Sequence, residues 1–253
     1  MTRRRFYAPP SAFDATENRL TLASDEAHHL REVLRLKAGE EVDVFDGEGK
    51  QFHCRIEESG REVAFLTVIA QSEPARRESP LKLTMGVALL KGEKFDLVVQ
   101  KVTELGVTRI VPVVTKLADI RLRDESDAAK RVARWQRIAL EGAKQCGRAF
   151  VPEVSNPVSL ESLIEQQRLE VEHCVMFSER DGQSLLRTRE QLPPMPTSLA
   201  SLVGSEGGWT KDEIERARAA GWIVTTLGGR TLRAETAAIT VAALLQHLYG
   251  DLA

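Results

Sequence analysis

"LVGSEGGWTKDEIERARAAG", residues 202–221, sets a short apolar run against three glycines and then a helix-forming segment. Gly204, Gly207 and Gly208 have no Cβ, so the backbone here can approach another group closely and can adopt positive φ. Thr210 and Glu213 form a T-x-x-E capping box, which fixes where the helix begins. A second glycine-rich turn, "LGGRTLRAET" at 227–236, follows the next strand-like run. In parallel α/β sheets, ligands sit beyond the carboxyl ends of strands, where the chain turns into a helix. One such loop is also what a tight strand–helix turn requires. Two of them after late strands point to a binding site.

A phosphate does not suit either loop. A P-loop needs G-x-x-x-x-G-K-[ST] and a dinucleotide fold needs G-x-G-x-x-G after its first strand; neither is present. Glu206, in the middle of the first loop, would repel an anion. What remains is a loop whose backbone comes close to a flat or uncharged group.

Outward from these loops the chain reads in two rhythms. Up to about residue 72 the pattern is short strands: "EEVDVFDGEGKQFHCRIEE" is strand–turn–strand and "REVAFLTVIA" is a further strand. "SDEAHHLREVLRL" predicts a short helix with Ser24 or Asp25 as its N-cap and Leu30, Val33 and Leu34 on one side. "QSEPARRESP", residues 71–80, reads as a linker with two prolines. Beyond it strands alternate with helices: a long helix near 127–145, strands at 172–177, 199–203 and 222–227, helices at 211–220 and from 234. That alternation implies a mainly parallel sheet covered on both faces. The expected organisation is a β-rich module at 1–72 and an α/β domain at 73–253. The last helix carries Ala234, Ala237, Ala238, Ala242 and Ala243, small side chains suited to close packing in a core or against a partner subunit.

Composition narrows the function classes. The 253 residues are 42% apolar and 28% charged with net charge −2, so a generally basic nucleic-acid binder is disfavoured but a local basic face is not. No apolar run reaches the roughly 18 residues that a membrane helix needs, and the cytoplasm is the expected location. Cys54, Cys146 and Cys174 are widely separated with no C-x-x-C, and the adjacent His28 and His29 cannot both face one metal, so no metal site is expected.

At this point the residues carry a resemblance. "LVGSEGGWTKDEIERARAAGW…VTTLGGRTLRAETAA", "LLKGEKFDLVVQKVTELGVTRIVPV", "EGAKQCGRAFVPEV" and "RRFYAP…HHLREVLRLKAGEEVDVFDGEGKQF" are similar to the RsmE family, SPOUT-class methyltransferases of uridine N3 in small-subunit (16S) ribosomal RNA. The resemblance runs from about Arg4 to Leu248. It implies a parallel α/β domain with a deep trefoil knot, a PUA-like RNA-binding β-barrel before it, S-adenosylmethionine as methyl donor, and a homodimer. The donor site it implies uses Phe177 and Ser178, then Gly204, Glu206 and Gly207, then Leu227, Gly228, Thr231, Leu232 and Arg233. Two departures stand out: Ser205 and Gly229 occupy positions where the family usually has proline, which loosens the backbone of both loops.

Uridine N3 is a poor nucleophile until its proton leaves, and a cation near O2 or O4 would stabilise the resulting anion. Arg233 is the first candidate for that cation and Arg148 the second. Glu206 is equally suited to serve as base or to cap loop amides. For RNA phosphates, the candidates are Arg3, Arg4, Arg5, Arg31, Arg35 and Lys37 in the small module, with Lys91 and Lys94 beyond it. Lys94 and Lys101, seven apart, share a helix face, where RNA or dimer contact competes with simple solvation. Two other readings remain: a non-catalytic ribosome-assembly RNA-binding protein, or the same chemistry on a different RNA.

Overall fold

The computed structural model of the protein describes residues 4–252. It divides into two compact units, residues 1–78 with 143–151, and residues 79–142 with 152–253. The break falls at 78/79, a few residues beyond the end of the expected module. The segment 143–151, which chain order would leave in the second domain, belongs to the first unit.

The first unit is a curled sheet of β1 (Arg5–Tyr7), β2 (Phe13–Asp14), β3 (Arg19–Ala23), β4 (Glu41–Phe45), β5 (Gln51–Ser59) and β6 (Val63–Ser72), in the order β1-β4-β5-β6-β3-β2. Alternation drives it: Val42, Val44, Cys54, Ile56, Ala64 and Leu66 turn inward with Phe6, Leu20 and Leu22 and are buried. Helix α1 (Ser24–His28) begins after Ala23, which has no side-chain cap, so the Ser24 or Asp25 cap does not form. The chain then widens into a π-helical turn over His29–Val33. The extra residue in that turn breaks the expected face: Leu30 is buried, but Val33 is 62% exposed.

The second unit starts with β7 (Lys82–Ala88), α2 (Lys94–Glu104), β8 (Arg109–Val114) and α3 (Glu125–Cys146), whose last turn is counted with the first unit. There follow β9 (Glu153–Val154), β10 (Val158–Ser159), α4 (Leu160–Glu170), β11 (His173–Phe177), β12 (Gln183–Ser184) and α5 (Leu185–Gln191). The chain ends with β13 (Ser198–Val203), α6 (Lys211–Ala219), β14 (Ile223–Thr226) and α7 (Ala234–Tyr249). The sheet is parallel throughout, in the order β10-β8-β7-β13-β11-β14-β12 with β9 beside β8. Central strands are apolar on both faces, as buried parallel strands must be; Leu83, Met85, Val87, Leu199 and Leu202 are fully or almost fully inaccessible. Gly86 is required by packing, because a Cβ there would stand 2.6 Å from both Leu163 and Leu202. The expected parallel α/β class is what the sheet shows.

Candidate functional site

Strands β13, β11 and β14 lie side by side with Phe177 in register with Val203 on one side and Thr225 on the other. Three parallel strands therefore release their chains at the same edge. The loops that leave them enclose a pocket of about 630 Å³ of empty space, open solvent at its mouth included. Its walls are the turn after Phe177, the glycine loop from Val203, the second loop from Thr226 to Leu232, and Ala234 and Ala237 on the first turns of α7.

The glycines are explained by what surrounds them. A Cβ on Gly204 would meet the Trp209 ring at 3.2 Å, and one on Gly207 would meet the Leu117 carbonyl oxygen at 2.9 Å. Gly208 has φ +68 and closes the turn by donating its N–H to Ser205 O at 2.9 Å. Trp209 is buried, and its Nε1 donates to Phe177 O at 2.8 Å, tying the loop to the end of β11. The capping box forms: Thr210 accepts from the Glu213 N–H, and Glu213 accepts from the Thr210 N–H at 2.8 Å. Glu213 is 1% exposed and its second oxygen accepts from the Lys116 N–H at 3.0 Å, so the cap also fastens the loop after β8.

The pocket is apolar with isolated polar points. Val203, Leu227, Leu232, Ala234 and Ala237 supply the apolar wall. Ser205 and Thr226 line it, but their hydroxyl oxygens are fully buried and find no hydrogen-bond partner among the described residues. A buried hydroxyl left so costs about 1–3 kcal/mol. A flat, partly apolar ligand with a few polar atoms fits.

Of the donor-site residues that the resemblance implies, Phe177, Ser178, Gly204, Glu206, Leu227, Gly228, Thr231 and Leu232 line this pocket. Gly207 sits behind the loop against Leu117. Arg233 is the exposed N-cap residue of α7, at the rim rather than in the wall. Sequence reasoning missed Glu179, Ser205, Trp209, Thr226 and Arg230 as wall residues. Trp209 was visible inside "GGWT", but an aromatic there reads equally well as ordinary core.

The charged candidates are less free than the sequence suggests. Glu206 accepts from Lys94 Nζ at 2.7 Å, and the same ammonium stands 3.9 Å from Glu235. Partial burial would raise the Glu206 carboxyl, but the bond from Lys94 and loop amides outweigh it and hold the group below its ordinary value. Arg148 is 4% exposed in the first unit, where its guanidinium binds Glu78 at 2.9 and 2.7 Å.

Arg5, expected at RNA, instead donates to the carbonyls of Ala143 at 3.2 Å and Arg148 at 2.5 Å and stacks on Phe45. Arg31 pairs with Glu32 at 3.1 Å and Lys91 with Asp119 at 2.7 Å. Exposed pairs of this kind contribute only about 0–1 kcal/mol, so either can exchange its partner for a phosphate. Arg4, Arg35 and Lys37 are exposed; Arg3 lies outside the described residues. No cluster of three potential metal ligands and no helix long and apolar enough to cross a membrane is found among the described residues.

Comparison with known proteins places these features in a family. Residues 77–246 match the family described as RNA methyltransferase domain, and residues 22–69 match the RNA methyltransferase PUA domain. The chain is 30% identical over 248 residues to the ribosomal RNA small subunit methyltransferase E of Synechocystis sp., covering 98% of this chain and 78% of that one. It is 28% identical to the Bacillus subtilis protein of the same name, with 91% and 92% covered. Among solved structures, the ribosomal RNA small subunit methyltransferase E of Neisseria gonorrhoeae bound to S-adenosyl methionine superposes with a TM-score of 0.86 at 31% identity over the whole of both chains. A putative methyltransferase of Legionella pneumophila in complex with the same cofactor gives 0.87 at 31%, again over both whole chains.

Proposed function

The chain belongs to the ribosomal RNA small subunit methyltransferase E family, and on that premise we propose that it methylates N3 of a uridine in 16S ribosomal RNA with S-adenosylmethionine as donor. The observation that carries this is the pocket: eight of the ten donor-site residues expected from the sequence converge on one apolar cleft at the edge of the parallel sheet. The cleft suits the donor. Its backbone is bared by glycine, and its wall is more apolar than polar, with Ser178, Glu179 and Arg230 among the polar lining residues.

When bound, S-adenosylmethionine supplies an electrophilic methyl group on a sulfonium. The chain's own part is chiefly positioning. Leu227, Leu232, Val203 and the helix alanines would hold the donor's apolar parts and exclude water, while the amides of the glycine loops would take its polar groups. The uridine N3 proton leaves to solvent water, and Arg233 at the start of α7 is assigned to stabilise the resulting anion at O2 or O4. Arg230, in the pocket wall, is the other cation within the second loop. The Lys94-bound state of Glu206 supports a structural rather than a proton-accepting role for that carboxylate.

The same reading assigns the first unit, residues 1–78 with 143–151, to RNA binding and the second, 79–142 with 152–253, to methyl transfer, with a trefoil knot in the C-terminal part and a cytoplasmic homodimer. The dimer is supported by apolar positions left half-buried on α7, namely Ile239, Leu244 and Leu248, and by Leu97, 41% exposed on α2, which packs against α7. The test is radiolabelled methyl transfer to small ribosomal subunits lacking the modification, with naked RNA and transfer RNA in parallel, followed by nucleoside analysis. Label in 3-methyluridine from the small subunit is the expected outcome. Label in a different nucleoside overturns the N3 assignment, and absence of donor binding favours the non-catalytic RNA-binding alternative.

A further inference from the structure

The first unit holds a second cavity, of about 680 Å³ of empty space with the open solvent at its mouth included, lined mainly by apolar surface. Phe13 and Phe52 form part of it, their ring centroids 4.6 Å apart and tilted by 45°. Both rings rest on the buried core of the curled sheet, so their positions are set by packing. Lys50 stands at the rim, exposed and with no ion pair among the described residues.

Asp46, also in the lining, is the decisive residue. It is 5% exposed, and its Oδ1 accepts from the N–H groups of Glu48 at 2.8 Å and Lys50 at 3.0 Å. No described residue donates to Oδ2. Oδ2 is not fully enclosed, so it is open to accept an N–H from a ligand in the cavity. The turn that carries it is braced from outside as well, since Gly49 N–H donates to Ala149 O at 3.1 Å and Val151 N–H to Gly47 O at 2.9 Å. The acceptor is thus presented by rigid backbone.

We propose that this cavity takes one unstacked RNA nucleobase carrying an exocyclic amino group, its face against Phe13 and Phe52, its amino group donating to Asp46 Oδ2, and a neighbouring phosphate on Lys50. The three features match the three parts of a nucleotide: an aromatic face, an acceptor for amino hydrogens, and a cation. Adenine, cytosine and guanine each offer an NH2 to the carboxylate. Uracil does not: its single N–H lies between two carbonyl oxygens, which a carboxylate repels. The site therefore selects against the kind of base that the donor pocket is proposed to modify. This inference rests on RNA being the substrate, and it adds a recognition point apart from the methylated base.

The test uses the full chain and labelled single-stranded RNA hexamers: all-uridine, and uridine with one adenosine, cytidine, guanosine or abasic site at the third position. Fluorescence anisotropy reads the affinity. The amino-bearing hexamers are expected to bind about tenfold more tightly than the all-uridine and abasic ones, the loss expected for one stacked base. Asp46→Asn keeps the Oδ1 acceptor for the turn and replaces Oδ2 by a donor; it should erase the preference. Phe13→Ala and Lys50→Glu should each weaken the amino-bearing hexamers by a similar factor, with S-adenosylmethionine binding unchanged as proof of folding. Equal affinity for all hexamers, no binding of any, or an unchanged preference in Asp46→Asn overturns the proposal. If small subunits are still methylated then, only the base pocket has failed; if they are not, the RNA methyltransferase reading has failed with it.

Discussion

The indole nitrogen of Trp209 donates to the carbonyl oxygen of Phe177 across 2.8 Å of buried space, and this bond joins the glycine loop to the end of the neighbouring strand β11. Trp209→Phe keeps the ring volume approximately and deletes the donor, leaving the Phe177 carbonyl unsatisfied. The expected cost is about 1–3 kcal/mol of stability, read as a lowered melting temperature. Because the loop and strand end both wall the pocket, the donor should also bind more weakly, as calorimetry will show. Unchanged donor affinity would mean that the bond only stabilises the fold.

Arg233 and donor binding should separate. Arg233→Ala is expected to reduce kcat by about 10²–10³, the scale for losing one group that stabilises developing charge, while the dissociation constant of S-adenosylmethionine shifts by less than a few-fold. Arg230 is in the wall, so Arg230→Ala should do the opposite and act mainly on donor affinity. Exchange of these two patterns would move the catalytic assignment to Arg230.

Lys94 and Glu206 make a pH prediction. The Glu206 carboxyl lies below its ordinary value because Lys94 and loop amides outweigh the opposing effect of partial burial. A lowered folded value means that the contribution of the pair is fully present above the ordinary glutamate range and is lost as the pH falls through the lowered value. Donor affinity should therefore be flat between about pH 5 and 8 and decline only in more acid solution. Glu206→Gln should change kcat by less than tenfold; a loss of 10² or more, with donor affinity intact, would restore Glu206 as the proton acceptor.

Arg5 is expected to behave as a structural residue. Its guanidinium serves the carbonyls at the end of α3 and stacks on Phe45, so Arg5→Ala should lower the melting temperature by an amount corresponding to about 1–3 kcal/mol. Arg4→Ala, at an exposed position next to it, should leave the melting temperature within error and weaken RNA binding in a salt-dependent way. Equal effects of the two on RNA would return Arg5 to the RNA surface.

The sequence exposed the sheet and most of the pocket because both are written locally. Alternating strands and helices announce a parallel sheet, and glycine-rich strand ends announce where a ligand sits, so Gly204 and Gly228 could be found without coordinates. Trp209 and Thr226 could not, because a buried tryptophan and a strand-end threonine look the same whether they wall a pocket or fill a core. Long-range pairings were equally hidden. Nothing adjacent to Arg5 or Arg148 in the chain signals that one would serve carbonyls 138 and 143 residues away or that the other would be held by Glu78. The π-helical turn at His29–Val33 defeated the expected face of the first helix for a related reason: a periodicity of 3.6 is assumed in reading it, and one extra residue per turn sends Val33 outward.

Residues 143–151 bind the first unit through Arg5, through Lys144 with Glu26 at 2.6 Å, and through the Gly47–Gly49 turn. The small module is therefore encoded in two separated places of the gene. A fragment ending at residue 78 would carry the sheet without the strip that Arg5, Glu26 and the Gly47–Gly49 turn hold. Evolution of this chain by swapping RNA-recognition modules would have to move both pieces together or rebuild one, which favours gradual change of the module in place over its replacement.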